Sequence, residues 1–269
     1  MIFFPGCKIN LGLNVLSKRP DGYHNLETCF YPVNWQDVLE LVPADSYKLE
    51  LSGVDLPVTG ENLCTKVFNL MQQKYNIQPV HTWLHKNIPH GAGLGGGSSD
   101  AAAMICAINE LFQLNLNQTT LEALALLIGS DCPFFINPVP KIATGRGEIF
   151  EPIKFTLAGK WIVLFKPEES ISTAEAYKNV EIKTPDFSIK TVLEKESIQN
   201  WRTKLSNAFE PYAFQKIPQL LTLRDLLYSQ GAVYAAMSGS GSAIFGIFEH
   251  EPPRFQIPEK VAHWRGVLG

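Results

Sequence analysis

No two of the five cysteines form a C-x-x-C pair; Cys7, Cys29, Cys64, Cys106 and Cys132 are odd in number and widely scattered. That spacing fits neither a disulfide framework nor a structural zinc site, so they read as reduced, mostly buried thiols of a cytoplasmic protein. Charge of one sign is also scarce. The formal net charge is −3 and there is no basic stripe, which argues against a nucleic-acid surface. An anionic substrate would need a local positive site rather than a global field. The N-terminal Met1-Ile2-Phe3-Phe4-Pro5 has no basic region and no long apolar run, so neither a signal peptide nor a membrane span is expected. No repeat or low-complexity tract interrupts the 269 residues. With 45% hydrophobic and 18% charged residues, they suit a soluble globule of one large or two moderate domains.

What is present is concentrated in one stretch. Gly91, Gly93, Gly95, Gly96 and Gly97 fall within seven residues, and Ser98-Ser99-Asp100-Ala101 follows. Val80 to His85 reads as a strand ending near Pro89. Ala102 to Phe112 reads as a helix, with Ile105, Ile108, Leu111 and Phe112 at helical spacing. A glycine run lets successive N–H groups turn toward one centre, and a helix start adds unpaired donors and a positive dipole end. Strand, glycine loop and helix together make an anion site, usually for phosphate; Ser98 and Ser99 could cap the helix or offer hydroxyls to a phosphate or its metal ion. An isolated pair of glycines would mean only a turn.

Familiar phosphate loops fit poorly. No Gly-Lys-Ser/Thr closes the run, so it is not a Walker A loop. Gly91 to Gly96 satisfies G-x-G-x-x-G, but it lies mid-chain and no acidic residue closes a second strand about twenty positions on, where Asn115 to Thr120 is polar loop. The chain lacks the His-Arg-Asp and Asp-Phe-Gly of protein kinases.

Elsewhere the pattern is α+β. Alternation over Ile9, Leu11, Leu13 and Val15 predicts a half-buried strand with Lys8 and Asn10 on one face. Residues 38–42 and 47–51 suggest an early strand pair. A helix is expected after Glu61, with Leu63, Val67, Leu70 and Met71 as its stripe. Another is expected over 120–128, with Thr119 and Glu122 as a capping box and Gly129 as its end. Trp161 to Phe165 reads as a strand, Pro218 to Ser229 as a helix, and 233–236 and 243–248 as strands flanking a glycine-serine turn. His81 and His85 stand four apart, but in strand-like sequence, which makes them surface histidines rather than metal ligands.

Pro89-His90-Gly91-Ala92-Gly93-Leu94-Gly95-Gly96-Gly97-Ser98-Ser99-Asp100-Ala101 resembles the ATP loop of the GHMP kinases, the superfamily that includes galactokinase, homoserine kinase, mevalonate kinase and phosphomevalonate kinase. The resemblance extends to Pro5-Gly6-Cys7-Lys8-Ile9-Asn10 and Asp21-Gly22-Tyr23-His24 near the N-terminus, to Gly129-Ser130-Asp131-Cys132-Pro133, and to Met237-Ser238-Gly239-Ser240-Gly241-Ser242. The Asp-Gly-Tyr-His element points within the superfamily to the branch whose acceptor is 4-diphosphocytidyl-2-C-methyl-D-erythritol. Gly6-Cys7 departs from the Pro-Ala often found before the lysine.

The resemblance implies a two-lobed fold with a ribosomal protein S5 domain 2-like N-lobe (1–155) and a ferredoxin-like C-lobe (156–269). It implies ATP and Mg²⁺ as cofactors and small molecules as partners, with neither nucleic acid nor membrane, in a monomer or homodimer. It makes Lys8 and Asp131 catalytic, Asp131 orienting or deprotonating the acceptor hydroxyl and Lys8 supplying positive charge. By itself Asp131 would be a helix or turn cap. Pro89, Gly91, Gly93, Leu94, Gly95, Gly96, Gly97, Ser98 and Ser99 would bind ATP, with Ser240 and Gly241 closing the phosphate site. Asn10 and Thr173 would bind the acceptor. Tyr177 and Tyr23 would lie on opposite faces of the cytosine and His24 would read its edge.

Overall fold

The computed structural model describes residues 1–54, 61–254 and 256–269. In chain order the strands are β1 (Ile2–Phe3), β2 (Gly6–Lys18), β3 (His24–Gln36), β4 (Val38–Pro43), β5 (Lys48–Gly53) and β6 (Val80–Lys86). After these come β7 (Lys141–Thr144), β8 (Ile149–Pro152), β9 (Trp161–Pro167), β10 (Tyr234–Met237), β11 (Ile244–Phe248) and β12 (Val261–Val267). The helices are α1 (Leu63–Tyr75), α2 (Gly96–Leu111), α3 (Gln118–Ile128), α4 (Thr173–Asn179), α5 (Ile189–Lys195), α6 (Trp201–Lys204), α7 (Glu210–Lys216) and α8 (Pro218–Ser229).

These elements form two compact units. The first comprises Met1–Cys7, Trp35–His90 and Gly95–Pro138; the second comprises Lys8–Asn34, Gly91–Leu94 and Val139–Gly269. This division differs from a single cut near residue 155. The N-terminal strands β2 and β3 share a sheet with β7 and β8, so hydrogen bonding joins early sequence to late sequence.

In the first unit the sheet order is β1-β4-β6-β5. Strands β4 and β5 are not paired with each other, as their spacing suggested. Both pair with β6, β4 antiparallel and β5 parallel. The reason lies in β6, whose inward positions Val80, Thr82 and Leu84 are buried at period two and make it the central strand. Helices α1 and α2 cover this sheet. Ala101 and Ala107 of α2 are fully buried, small residues that let α1 approach closely with Val67 and Met71. Helix α1 is capped by Asn62, whose side chain accepts from the N–H of Cys64.

Two helix starts differ from expectation. Helix α3 is capped by Asn117, which accepts from the N–H of Thr120, so the Thr119–Glu122 box does not form. Helix α2 begins at Gly96, about a turn and a half before Ala102. Gly95, at φ 72°, occupies the cap position with no side-chain cap bond. Ser98 and Ser99 therefore lie within the first turns of the helix and do not cap it.

In the second unit β10-β11-β9-β12 form a wholly antiparallel sheet with the strand order expected of a ferredoxin-like lobe. Helix α8 packs on it through Leu220, Leu223 and Leu227. Burying three leucines of this kind contributes about 1.5–3 kcal/mol each. None of the five cysteines is in a disulfide, and Cys7, Cys29, Cys64 and Cys132 are buried.

Candidate active site

Lys8 and Asn10 lie on one buried face of β2, 3% and 2% exposed. The Lys8 ammonium donates to the Asn10 side-chain oxygen and, at 2.9 Å, to the Gly93 carbonyl. It also stands 4.8 Å over the Phe30 ring. The Asn10 amide donates to Thr28 at 3.0 Å, and the Thr28 hydroxyl donates to the Gly12 carbonyl. A buried polar chain of this kind fixes its members, because each broken link leaves a desolvated group unpaired.

The glycine-serine turn after β10 packs against Gly91–Leu94. Ser238 donates to the Gly93 carbonyl at 2.9 Å and accepts from the Asn10 N–H at 3.3 Å. The N–H of Ala243 reaches the Ala92 carbonyl at 3.0 Å, and the Lys8 N–H reaches the Leu94 carbonyl at 2.9 Å. Gly93 has φ 72°, and a Cβ there would lie 2.0 Å from the Ser238 carbonyl oxygen. Only glycine fits. Ser240 and Thr173 bring their hydroxyl oxygens within 3.4 Å, and Gly241 has φ 89°.

Asn207 was not singled out by sequence. Its amide donates to the carbonyls of Met237 and Gly239, at 2.9 and 2.8 Å. It stands in no motif, and an asparagine after a polar helix end reads as loop.

Two of the aromatic residues expected to meet the acceptor lie against each other. His24 and Tyr177 are stacked on each other, with centroids 4.9 Å apart and planes 20° off parallel. The His24 ring thus covers one face of Tyr177. The cause is α4: Ala176 is buried in the core, and the next residue, Tyr177, meets Phe209 edge-on. Desolvation, with the nearby Lys18 charge, holds His24 below the ordinary imidazole range, so the ring is neutral near pH 7. Tyr23 is exposed, with the Arg146 guanidinium 5.0 Å from its ring centre.

In the first unit, the start of α2 offers an anion cradle. Gly96, Gly97 and Ser98 lead the helix, where N–H groups have no intrahelical acceptor. Gly97 is exposed, and a Cβ there would meet only Leu63, at 3.8 Å. Pro89 is half-buried ahead of the loop, and Ser98 bonds the Cys132 thiol. Asp131 precedes a 3₁₀ turn, Cys132–Ile136, yet its carboxylate makes no cap bond. Half-buried and not used as a cap, it keeps its acceptor capacity for another partner.

Beneath α2 lies a second feature that sequence reading missed. The Lys86 ammonium bonds both Asp37 and Asp100, all three being buried. The other Asp37 oxygen accepts the N–H groups of Asn87 and Ile88, at 2.6 and 2.8 Å. The second Asp100 oxygen has no hydrogen-bond partner. Desolvation pushes the Asp100 carboxyl up to about 7, against the pull of Lys86 and helped by Asp37. The available signal was a lysine at an inward position of the alternating β6, directly after Val80, Thr82 and Leu84.

Residues 62–137 match the family described as GHMP kinases N terminal domain, and residues 189–265 match GHMP kinases C terminal. A 4-diphosphocytidyl-2-C-methyl-D-erythritol kinase of Cytophaga hutchinsonii is 49% identical over 257 residues, 95% of each chain. One of Parabacteroides distasonis is 46% identical over 272 residues, covering 100% of both. The chain belongs to the 4-diphosphocytidyl-2-C-methyl-D-erythritol kinase family. A crystal structure of 4-(cytidine 5'-diphospho)-2C-methyl-D-erythritol kinase superposes with TM-score 0.81 at 32% identity, covering 100% of this chain and 99% of that one. A mevalonate kinase shares the fold at TM-score 0.71 and 15% identity, over 92% of this chain and 91% of its own. The chain is thus a small-molecule kinase with the α+β GHMP kinase fold. Among the described residues no helix is long and apolar enough to cross a membrane.

Proposed function

We propose that this kinase transfers the γ-phosphoryl group of ATP to the 2-hydroxyl of 4-diphosphocytidyl-2-C-methyl-D-erythritol, a step toward isoprenoid precursors in the cytoplasm. The observation that carries this reading is the bond from Lys8 to the Gly93 carbonyl, which ties the catalytic lysine to the glycine loop. Family membership supplies the acceptor.

ATP fits the residues present. The free N–H groups that lead α2 suit phosphate oxygens, and the bare Cα of Gly97 leaves room for close approach. Gly91, Gly93, Leu94 and Gly95 form the loop that precedes it in the chain, and Ser240 and Gly241 are the further residues assigned to ATP. Bound ATP would supply the phosphoryl group, and Mg²⁺ bound with it would offset the phosphate charge. Mg²⁺ characteristically keeps water and phosphate oxygens as most of its ligands.

In this scheme Lys8 stabilises the charge that spreads over the transferring group. Asp131 accepts a hydrogen bond from the acceptor hydroxyl and orients it, taking its proton as the new bond forms. Asn10 and Thr173 hold the acceptor. His24 reads the cytosine edge from its place against Tyr177, with Tyr23 contributing at the surface. The enzyme acts on small molecules alone, as a monomer or homodimer, without nucleic acid or membrane. A coupled ADP-release assay tests it. Turnover should require the cytidylyl acceptor, and equal turnover with homoserine or mevalonate would refute the assignment.

A further inference from the structure

The geometry points to Asn207 as a positioning residue for ATP, holding the turn at 237–241 against the phosphate loop. This rests on the proposed ATP role of Gly91–Gly97. Asn207 is 3% exposed, and both its side-chain nitrogen and its oxygen are hydrogen-bonded. One amide group donates to the carbonyls of Met237 and Gly239, and its oxygen accepts the Phe209 N–H at 2.9 Å. On one side the Asn207 backbone is joined to β2. The Leu13 N–H donates to Ser206 and the Ala208 N–H donates to Leu13, both at 2.8 Å. On the other side Glu210, three residues on, accepts the Met237 N–H at 2.8 Å. The peptide groups on both sides of Met237 are therefore held from one short segment, its N–H by Glu210 and its C=O by Asn207.

What this clamp controls is the residue between its two carbonyl ligands. Ser238 lies between Met237 and Gly239, and it bonds Gly93 and Asn10 directly. Clearance at this point is small: a Cβ on Gly239 would lie 3.2 Å from the Gly93 oxygen, and one on Gly93 would overlap the Ser238 carbonyl. A turn displaced by even a fraction of an ångström must move the Gly93 peptide, to which Lys8 is also bonded. Asn207 acts on the loop and Lys8 through the turn.

The test is steady-state kinetics of Asn207→Asp, which keeps the oxygen that accepts from Phe209 but faces two carbonyls with an oxygen. Asn207→Ser, which keeps one donor, is measured alongside and carries the test if Asn207→Asp does not fold. The expected result is a KM for ATP raised about tenfold, the scale of one lost buried hydrogen bond, with a smaller rise for Asn207→Ser and an unchanged KM for the acceptor. A merely structural role would lower the folded fraction and hence the apparent kcat, leaving both KM values as they were. That outcome overturns the proposal. Gly97→Val separates the two levels. If it abolishes ATP binding while the Asn207 variants bind normally, only the clamp is wrong. If Gly97→Val binds ATP normally, the loop assignment itself fails.

Discussion

The Lys8 ammonium and the Gly93 carbonyl oxygen are 2.9 Å apart, so a strand near the N-terminus and a loop more than eighty residues later share one hydrogen bond. A lysine held this way has a fixed place for its charge. The same bond makes the loop sensitive to changes at Lys8, which shapes the first prediction.

Lys8→Ala and Asp131→Ala should each lower kcat by about 10²-fold or more, the usual scale for electrostatic and general-base groups. They should differ in ATP binding. Asp131 makes no cap bond, so its removal leaves the loop alone and ATP affinity stays near wild type. Lys8→Ala leaves the buried Asn10 and Gly93 oxygens short of a donor and should weaken ATP as well. Titration calorimetry with ATP checks this, and near-normal turnover in both variants would refute the roles.

Gly93 and Gly97 should separate fold from function. Gly93→Ala puts a methyl against the Ser238 carbonyl at positive φ and should lower Tm markedly. A Cβ at Gly97 meets only Leu63, at ordinary contact distance, so the melt of Gly97→Val should stay near wild type while ATP binding is lost. Thermal melts and nucleotide titrations of the two variants make the comparison.

The Asp100 carboxyl is raised above its unfolded value of 3.8 to about 7. Sign follows from linkage: its protonated form is favoured by folding, so its contribution is full below about pH 4 and is lost as pH rises to about 7. The Tm of wild type relative to Asp100→Asn should therefore fall across that window. A difference that is flat with pH, or that rises, would contradict the shift. Lys86→Met, by stranding two buried carboxylates, should cost about 3 kcal/mol or more of stability by denaturant melts.

His24 should set base selectivity and Tyr177 affinity. A uridine analogue replaces the cytosine N4 donor with an acceptor and N3 with N–H, and buried mismatches of that sort discriminate by about 10³-fold or more. His24→Ala should lower the cytidine-to-uridine ratio of kcat/KM, whereas Tyr177→Ala should raise KM for both. Because His24 is held neutral, acceptor KM should begin to rise only below the ordinary imidazole range, and that pH dependence should vanish in His24→Ala.

Much of this was legible in local pattern. Strand β6, the glycine loop and α8 lie close to where alternation, glycine density and helical spacing put them. Strand β3 was not, because Cys29, Phe30 and Tyr31 are buried in succession and the alternation is lost. The start of α2 was read late because Gly96 and Gly97 disfavour helix, and tertiary packing overrides them: a Cβ on Gly96 would lie 2.9 Å from Ile88. Asn207 and the Lys86–Asp37–Asp100 cluster depend on contacts distant in sequence, which no window of residues contains.

The most direct test of the central claim is ³¹P NMR of the product formed from ATP and 4-diphosphocytidyl-2-C-methyl-D-erythritol. The account predicts one new phosphomonoester, on the 2-hydroxyl, appearing in step with ADP. ADP released without that ester, or a phosphate on a different hydroxyl, would contradict it.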